Sequence, residues 1–568
     1  MLNLEVWGNR LKAVLNSIKN DSLVQLYAQE VPRKDTLIYL LEGLHDFGQT
    51  HFSYFYEAFT GKTIDGGDAS GRAEKLEKDN EFSSATVLNW ITAQISDDLS
   101  IILRAWNQRR DNQSYKDVLD KADKFAQLAL CPAVKCGYIP AETAVLCYFQ
   151  KSYRVRLMPY ANVVLVGVPF SALDVPRDFL AIPHEVAHFV FRHGTLAKEE
   201  PKADGGTRKS YKSDNESIAS FLMWELRNKD RYLRNWIEEI FADMYGCVIA
   251  GPVIALDFQD LQMDDRLEEF ADATIDHEDP PPLIRPDTYS KVLAKSTDFQ
   301  RSRLAELLHH RWKLYRNTLW NNYRSIYLID QPDDIEPILK IGRNAPNRTA
   351  GNRNVAASIQ NQPNTANSEN IVRVSDIRED NLSLSDSSFD AMITIIWKKF
   401  IFNVWEEVKG SKSECHDLLY LAGDIADQEG EEVFLSKLLA GKTIQDFPND
   451  EEKRNELDTE LNKLYENFKT ALNVMIAKII LKEATPSGIA ASDEERNNKW
   501  VAWQNRWEKR NVLKRPSPNV GLLGSNPKPL TGDDVAESRR PETEWGWVIL
   551  AYANGWVTRG PEPNPTGD

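Results

Sequence analysis

Five residues, His184-Glu185-Val186-Ala187-His188, constrain this chain more than any other part of it. On a helix, residues four apart stand one turn apart on the same face. His184 and His188 can then offer two imidazoles to one metal ion. Glu185 points close to the same spot and can act on a water that the metal activates. Ile182 before the run and Phe189, Val190 and Phe191 after it set this helix against a core. Pro183 suits the first turn, and Gly194 suits the end. The plain alternative is a core helix with two satisfied histidines.

A catalytic zinc site takes three protein ligands and keeps one position open. His193 is poorly placed as the third, five residues after His188 and next to the helix end. Glu239 is the better candidate. Its surroundings, with Trp236, Ile240, Met244 and Cys247 at three-to-four spacing, read as an amphipathic helix. Asp243 lies one turn on, on the face of Glu239. A carboxylate there can accept the free ring N–H of a ligand histidine and fix its orientation. Ala242 is small enough to let two helices approach. Glu238 is the fallback ligand, and Tyr245 is either a further electrophile or packing. Without a metal, this would be an ordinary helix with surface acids.

Together these motifs resemble the gluzincins, nearest to the branch of the heat-shock protease X and CAAX-prenyl-protease types. The second motif of that branch reads Glu-x-x-Ala-Asp-x-x-Gly, matched by Glu239, Ala242, Asp243 and Gly246. The gap of about 50 residues between His188 and Glu239 is also similar. A metzincin would need a histidine where Gly194 stands. The resemblance covers about residues 140 to 290. It implies a zincin-like peptidase core with Zn2+ on His184, His188 and Glu239. Those relatives are mostly membrane-embedded, a departure that this chain makes.

A third segment, His277-Glu278-Asp279-Pro280-Pro281-Pro282-Leu283-Ile284-Arg285, resembles the His-Pro-Pro…Arg stretch that follows the second motif in such peptidases. Two acidic residues interrupt it here. By that likeness His277 or Arg285 stabilises a developing oxyanion or grips substrate. Otherwise the segment is a rigid proline-rich turn with a solvated histidine and arginine.

The chemistry follows from charge. Two neutral imidazoles and one carboxylate leave a bound Zn2+ net positive, which lowers the pKa of water towards neutrality. Glu185 would take a proton from the attacking water and pass it to the leaving amine. The expected activity is that of a zinc metalloendopeptidase acting on a protein or peptide substrate, selective and open to regulation by a protein partner or by latency. The alternative is a non-catalytic zincin-like binding or scaffold protein.

The expected fold class is α+β and predominantly helical, a zincin-like core with a small β-sheet flanked by helical regions. Tyr153 to Leu157 alternates, as a half-exposed strand does, and Val163 to Val168 is an apolar run suited to a buried strand. The expected organisation is a helical region over 1–130, a catalytic domain over 131–341, a flexible linker over 342–375, a helical region over 376–490 and a Trp-rich irregular tail over 491–568. Leu11, Val14, Leu15 and Ile18 mark the first helix. His45 and His51 sit in an aromatic stretch that reads as a packed helix boundary. Residues 196–213, rich in charge and Gly, read as an insertion that gates the cleft or as a solvated loop. One apolar stripe runs from Phe389 to Val404 and another from Leu457 to Ile479.

A formal net charge of −16 argues against nucleic acid and anionic membrane surfaces as partners. Met1 to Asn20 lacks the apolar core of a signal peptide. Met244 to Leu256 is too short to span a bilayer and contains Gly251-Pro252. Five cysteines in 568 residues form no disulfide framework. Those features together predict a cytoplasmic chain with no membrane span.

Overall fold

Residues 4–63, 66–67, 84–156, 158, 160–201, 207–210, 217–226, 236–263, 280, 285–295, 305–306, 308–309, 311–312, 338–340, 371–373 and 386–409 are described by a computed structural model. The chain divides into two compact units, Met1–Trp224 with Met475–Asp568, and Glu225–Val474. Its described residues are mostly helical with one small three-stranded sheet, an α+β arrangement.

In the first unit, Leu11 and Leu15 bury one face of α1 (Glu5–Asn16). Ile18 continues that face through a π-helical segment, Ser17–Leu23, before α2 (Val24–Ala28). The next helix, α3 (Lys34–Thr60), runs unbroken through the aromatic stretch where the sequence predicts a boundary near His45 and His51. No boundary forms because Leu40, Leu44, Phe47, Phe52, Tyr56 and Phe59 keep a continuous apolar face. At Gly48, α4 (Ser84–Asp111) packs close against α3; a Cβ there would stand 3.0 Å from Ile95 Cδ1. Asn112 caps α5 (Gln113–Lys135), its side-chain oxygen accepting from the Tyr115 amide at 3.3 Å.

The sheet follows: β1 (Ala144–Gln150), β2 (Arg154–Arg156) and β3 (Val163–Pro169), in the order β1-β3-β2. Central β3 pairs in parallel with β1, Ala144 opposite Val163, and antiparallel with β2, Arg154 opposite Gly167. Val163 to Val166 and Val168 are buried, as an apolar run in a central strand should be. The sequence reading does not single out β1, although its Ala-Val-Leu-Cys-Tyr-Phe run is equally buried.

Strand β2 departs from the expected half-exposed alternation. Val155 and its neighbour Arg156 are both buried, at 4% and 3% exposure. Arg156 is tolerated inside because Asp98 on α4 neutralises it, with Nη2 to Oδ1 at 2.6 Å and Nε to Oδ1 at 2.9 Å. The Tyr160 hydroxyl donates to the other carboxylate oxygen at 3.1 Å. A buried cation without such partners would be strongly unfavourable.

Helix α6 (Ile182–His193) packs against α5 and strands β2 and β3. Pro183 stands in its first turn, where no amide hydrogen is needed. Gly194 ends it, its amide donating to Val190 O at 2.8 Å while its carbonyl accepts from Ile218 N at 3.0 Å. Backbone φ at Gly194 is −70°, so space rather than dihedral freedom demands glycine. A Cβ would come within 2.3 Å of Val190 O and 2.7 Å of Ile218 Cδ1. Gly194→Ala is therefore expected to destabilise the chain by about 1–3 kcal/mol. Chemical denaturation reads this directly, and a midpoint like that of the wild type would show that the helix end relaxes freely.

The charged segment after α6 contains an antiparallel pair, β4 (Lys198–Pro201) and β5 (Thr207–Ser210), where the sequence reading expected no regular structure. Glu199 stands opposite Lys209 and Glu200 opposite Arg208. Helix α7 (Ile218–Glu225) comes next.

In the second unit, α8 (Ile237–Ala250) and α9 (Pro252–Met263) meet at Gly251, whose φ of 69° favours glycine. Helix α10 (Arg285–Ala294) packs on both. Strands β6 (Ile338–Lys340) and β7 (Ile371–Arg373) pair antiparallel, and β7 is the only described part of the expected linker over 342–375. The stripe from Phe389 to Val404 forms α11 (Asp386–Ile396), a π-helical turn Trp397–Ile401 and α12 (Phe402–Lys409). This rod packs on α8, with the rings of Phe241 and Phe400 6.3 Å apart.

The stripe from Leu457 to Ile479, the Trp-rich tail over 491–568 and His277 lie outside the described residues. Among the described residues, no helix is long and apolar enough to cross a membrane. Cys136, Cys147 and Cys247 are buried free thiols.

Candidate metal centre

Helix α6 carries the imidazoles. One turn of α6 separates His184 from His188, and their Nε2 atoms stand 3.1 Å apart. Their rings are nearly perpendicular, 85° between planes, with centroids 4.8 Å apart. Two nitrogens each about 2.0–2.1 Å from a tetrahedral zinc would stand about 3.3–3.4 Å apart. The observed spacing is close to that bite, so the pair fits one metal ion. Glu185 is buried at 8% exposure, in the first turn of the same helix. His193 turns elsewhere, stacked on Phe189 with centroids 4.4 Å apart and planes 8° apart.

Helix α8 carries two carboxylates. Glu239 lies in the first turn of α8, its side chain 17% exposed. Asp243 is one turn on and fully buried. Trp236, Ile240, Met244 and Cys247 are buried, but so is nearly every other residue of the helix, Tyr245 included. The ring of Tyr245 stacks towards Phe241, with centroids 6.3 Å apart and planes 23° apart.

Helix α10 brings Arg285 onto both acids. Arg285 Nε donates to Asp243 Oδ2 at 3.0 Å and Nη2 to Asp243 Oδ1 at 2.8 Å. The same Nη2 is 3.0 Å from Glu239 Oε2. Tyr289, one turn after Arg285, donates its hydroxyl to Asp243 Oδ1 at 2.9 Å. Phe258 on α9 lies under the guanidinium, 4.7 Å from ring centroid to Cζ, and stacks on Tyr289. Burial acts to lower the Arg285 pKa, but Asp243 and then Glu239 more than offset it, and it rises well above the ordinary arginine value. Burial, then the Asp243 charge, pushes the Tyr289 hydroxyl up as well, so it stays a donor.

One ligand atom each from His184, His188 and Glu239 lies within 4.8 Å of the others, a grouping that can hold a metal ion. Among the described residues, no other group of His, Cys, Asp and Glu does so. Asp243 accepts from both Arg285 and Tyr289. Sequence reasoning missed Tyr289 and Phe258. A usable signal existed for Tyr289: it follows Arg285 by four residues, as Asp243 follows Glu239, so two one-turn pairs face each other. No protein family, no curated relative and no solved structure matches the chain.

Proposed function

We propose that this chain is a zinc-dependent metallopeptidase of gluzincin type, built on a zincin-like core and cleaving protein or peptide substrates. The grouping of His184, His188 and Glu239, with Glu185 buried in the first turn of the helix that carries both imidazoles, carries the reading. The small sheet that precedes α6 and packs on it supports a zincin-like core. Zinc, when bound, supplies a Lewis acid and lowers the pKa of water.

The protein's own groups do the rest. His184 and His188, neutral, bind through Nε2. Glu239 adds one carboxylate oxygen and with it a negative charge. Glu185 takes the proton of the attacking water on a carboxylate oxygen and hands it to the departing amine nitrogen. Addition of water across the amide thus yields a carboxylate and an amine.

Metal removal tests the reading. Purified chain is expected to carry about one zinc per molecule. A chelator should abolish peptide cleavage, and zinc should restore it. A chain that binds no zinc, or that cleaves equally well after chelation, would sink the proposal.

A further inference from the structure

The carboxylate ligand is held by an arginine. We infer that Arg285 is a positioning residue that presents Glu239 to the metal, anchored in turn by Asp243. This deepens the metallopeptidase reading and rests on it.

Glu239 and Asp243 stand one turn apart on α8 and repel as like charges. The Arg285 fork lies between them, with Nε and Nη2 committed to Asp243 and Nη2 shared with Glu239 Oε2. Asp243 is fully buried and braced by the Tyr289 hydroxyl, so it cannot drift. Phe258 fixes the plane of the guanidinium from below. A rigid fork anchored at one end thus holds one oxygen of Glu239. That restricts a long carboxylate side chain before any metal arrives. The entropy of ordering the ligand is lost on folding rather than on binding.

Arginine suits this role and lysine does not. A planar guanidinium meets two carboxylates at fixed angles, whereas an ammonium is a flexible point charge. Arg285→Lys therefore keeps the charge of the site and removes the fork. Any loss of metal affinity then comes from geometry, since the Coulomb attraction of the site for a dication is unchanged. Groups that orient a ligand typically account for about 10- to 100-fold in metal affinity.

The experiment is a double-mutant cycle on zinc affinity in the full chain, read by competition with a chromophoric chelator. The wild type, Arg285→Lys, Glu239→Gln and the double variant are compared, with thermal melting of each metal-free form. Arg285→Lys should bind zinc about 10- to 100-fold more weakly. Combined with Glu239→Gln, it should cause no further loss, because Arg285 acts through Glu239. A merely structural arginine would weaken binding equally in both backgrounds. Equal losses, or an Arg285→Lys affinity within threefold of the wild type, overturn the inference.

Should Arg285→Lys not fold, Asp243→Asn/Arg285→Met takes its place. It too leaves the net charge unchanged, and the same two outcomes decide. Failure of the underlying metal reading looks different: the wild type itself would bind no zinc, or His188→Ala would bind as the wild type does.

Discussion

Glu185→Gln is expected to keep its fold and its zinc while losing peptide cleavage by about 10²- to 10⁴-fold. The amide matches the carboxylate in shape, so the first turn of α6 should pack as before. What it lacks is a site for the proton of the attacking water. Glu185 is 8% exposed and is not among the three grouped ligands, so its loss should spare metal binding. Three readouts decide: zinc content, thermal melting, and the new protein termini that appear when each chain is expressed in its host. Termini made by the wild type and absent with Glu185→Gln would identify substrates at once. Cleavage equal in the two chains would refute Glu185 as the base. A binding or scaffold protein would yield no new termini from either.

What the sequence made legible here is what is local. The turn from His184 to His188 fixes one helix face by itself, and Pro183 and Gly194 mark its ends as expected. Gly251-Pro252 divides α8 from α9 for equally local reasons. The Phe389 to Val404 stripe announces a helical rod, although not that the rod covers α8. Through-space pairing is what escaped. Arg285 reads as a solvated or substrate-binding residue until Asp243, 42 residues earlier, is found against it. Likewise, Arg156 looks like the outward residue of an alternating strand until Asp98, 58 residues away, neutralises it. Periodicity reports which face a side chain takes. It does not report which distant charge makes an inward-facing cation tolerable.

A second such pairing supports the largest stability effect expected of a single substitution. Asp123 on α5 is 1% exposed and joins four elements of the first unit. Its oxygens accept from Arg109 Nη2 on α4 at 2.8 and 3.0 Å. Arg33, the left-handed residue that opens α3, approaches to 3.3 Å through Nε. The Cys147 amide on β1 donates to Oδ1 at 2.6 Å. Asp123→Ala would leave the buried Arg109 guanidinium and the Cys147 amide without this acceptor. Breaking a buried ion pair from one side costs about 3–5 kcal/mol, a large share of the stability of a folded domain. Asp120, three residues earlier on the same helix, provides the control. Its pair with Lys124 is half exposed, so Asp120→Ala should cost at most about 0.5 kcal/mol. Urea denaturation of the two variants measures the contrast. If both lose under about 1 kcal/mol, the Asp123 pairing is dispensable and the first unit is held by apolar packing alone.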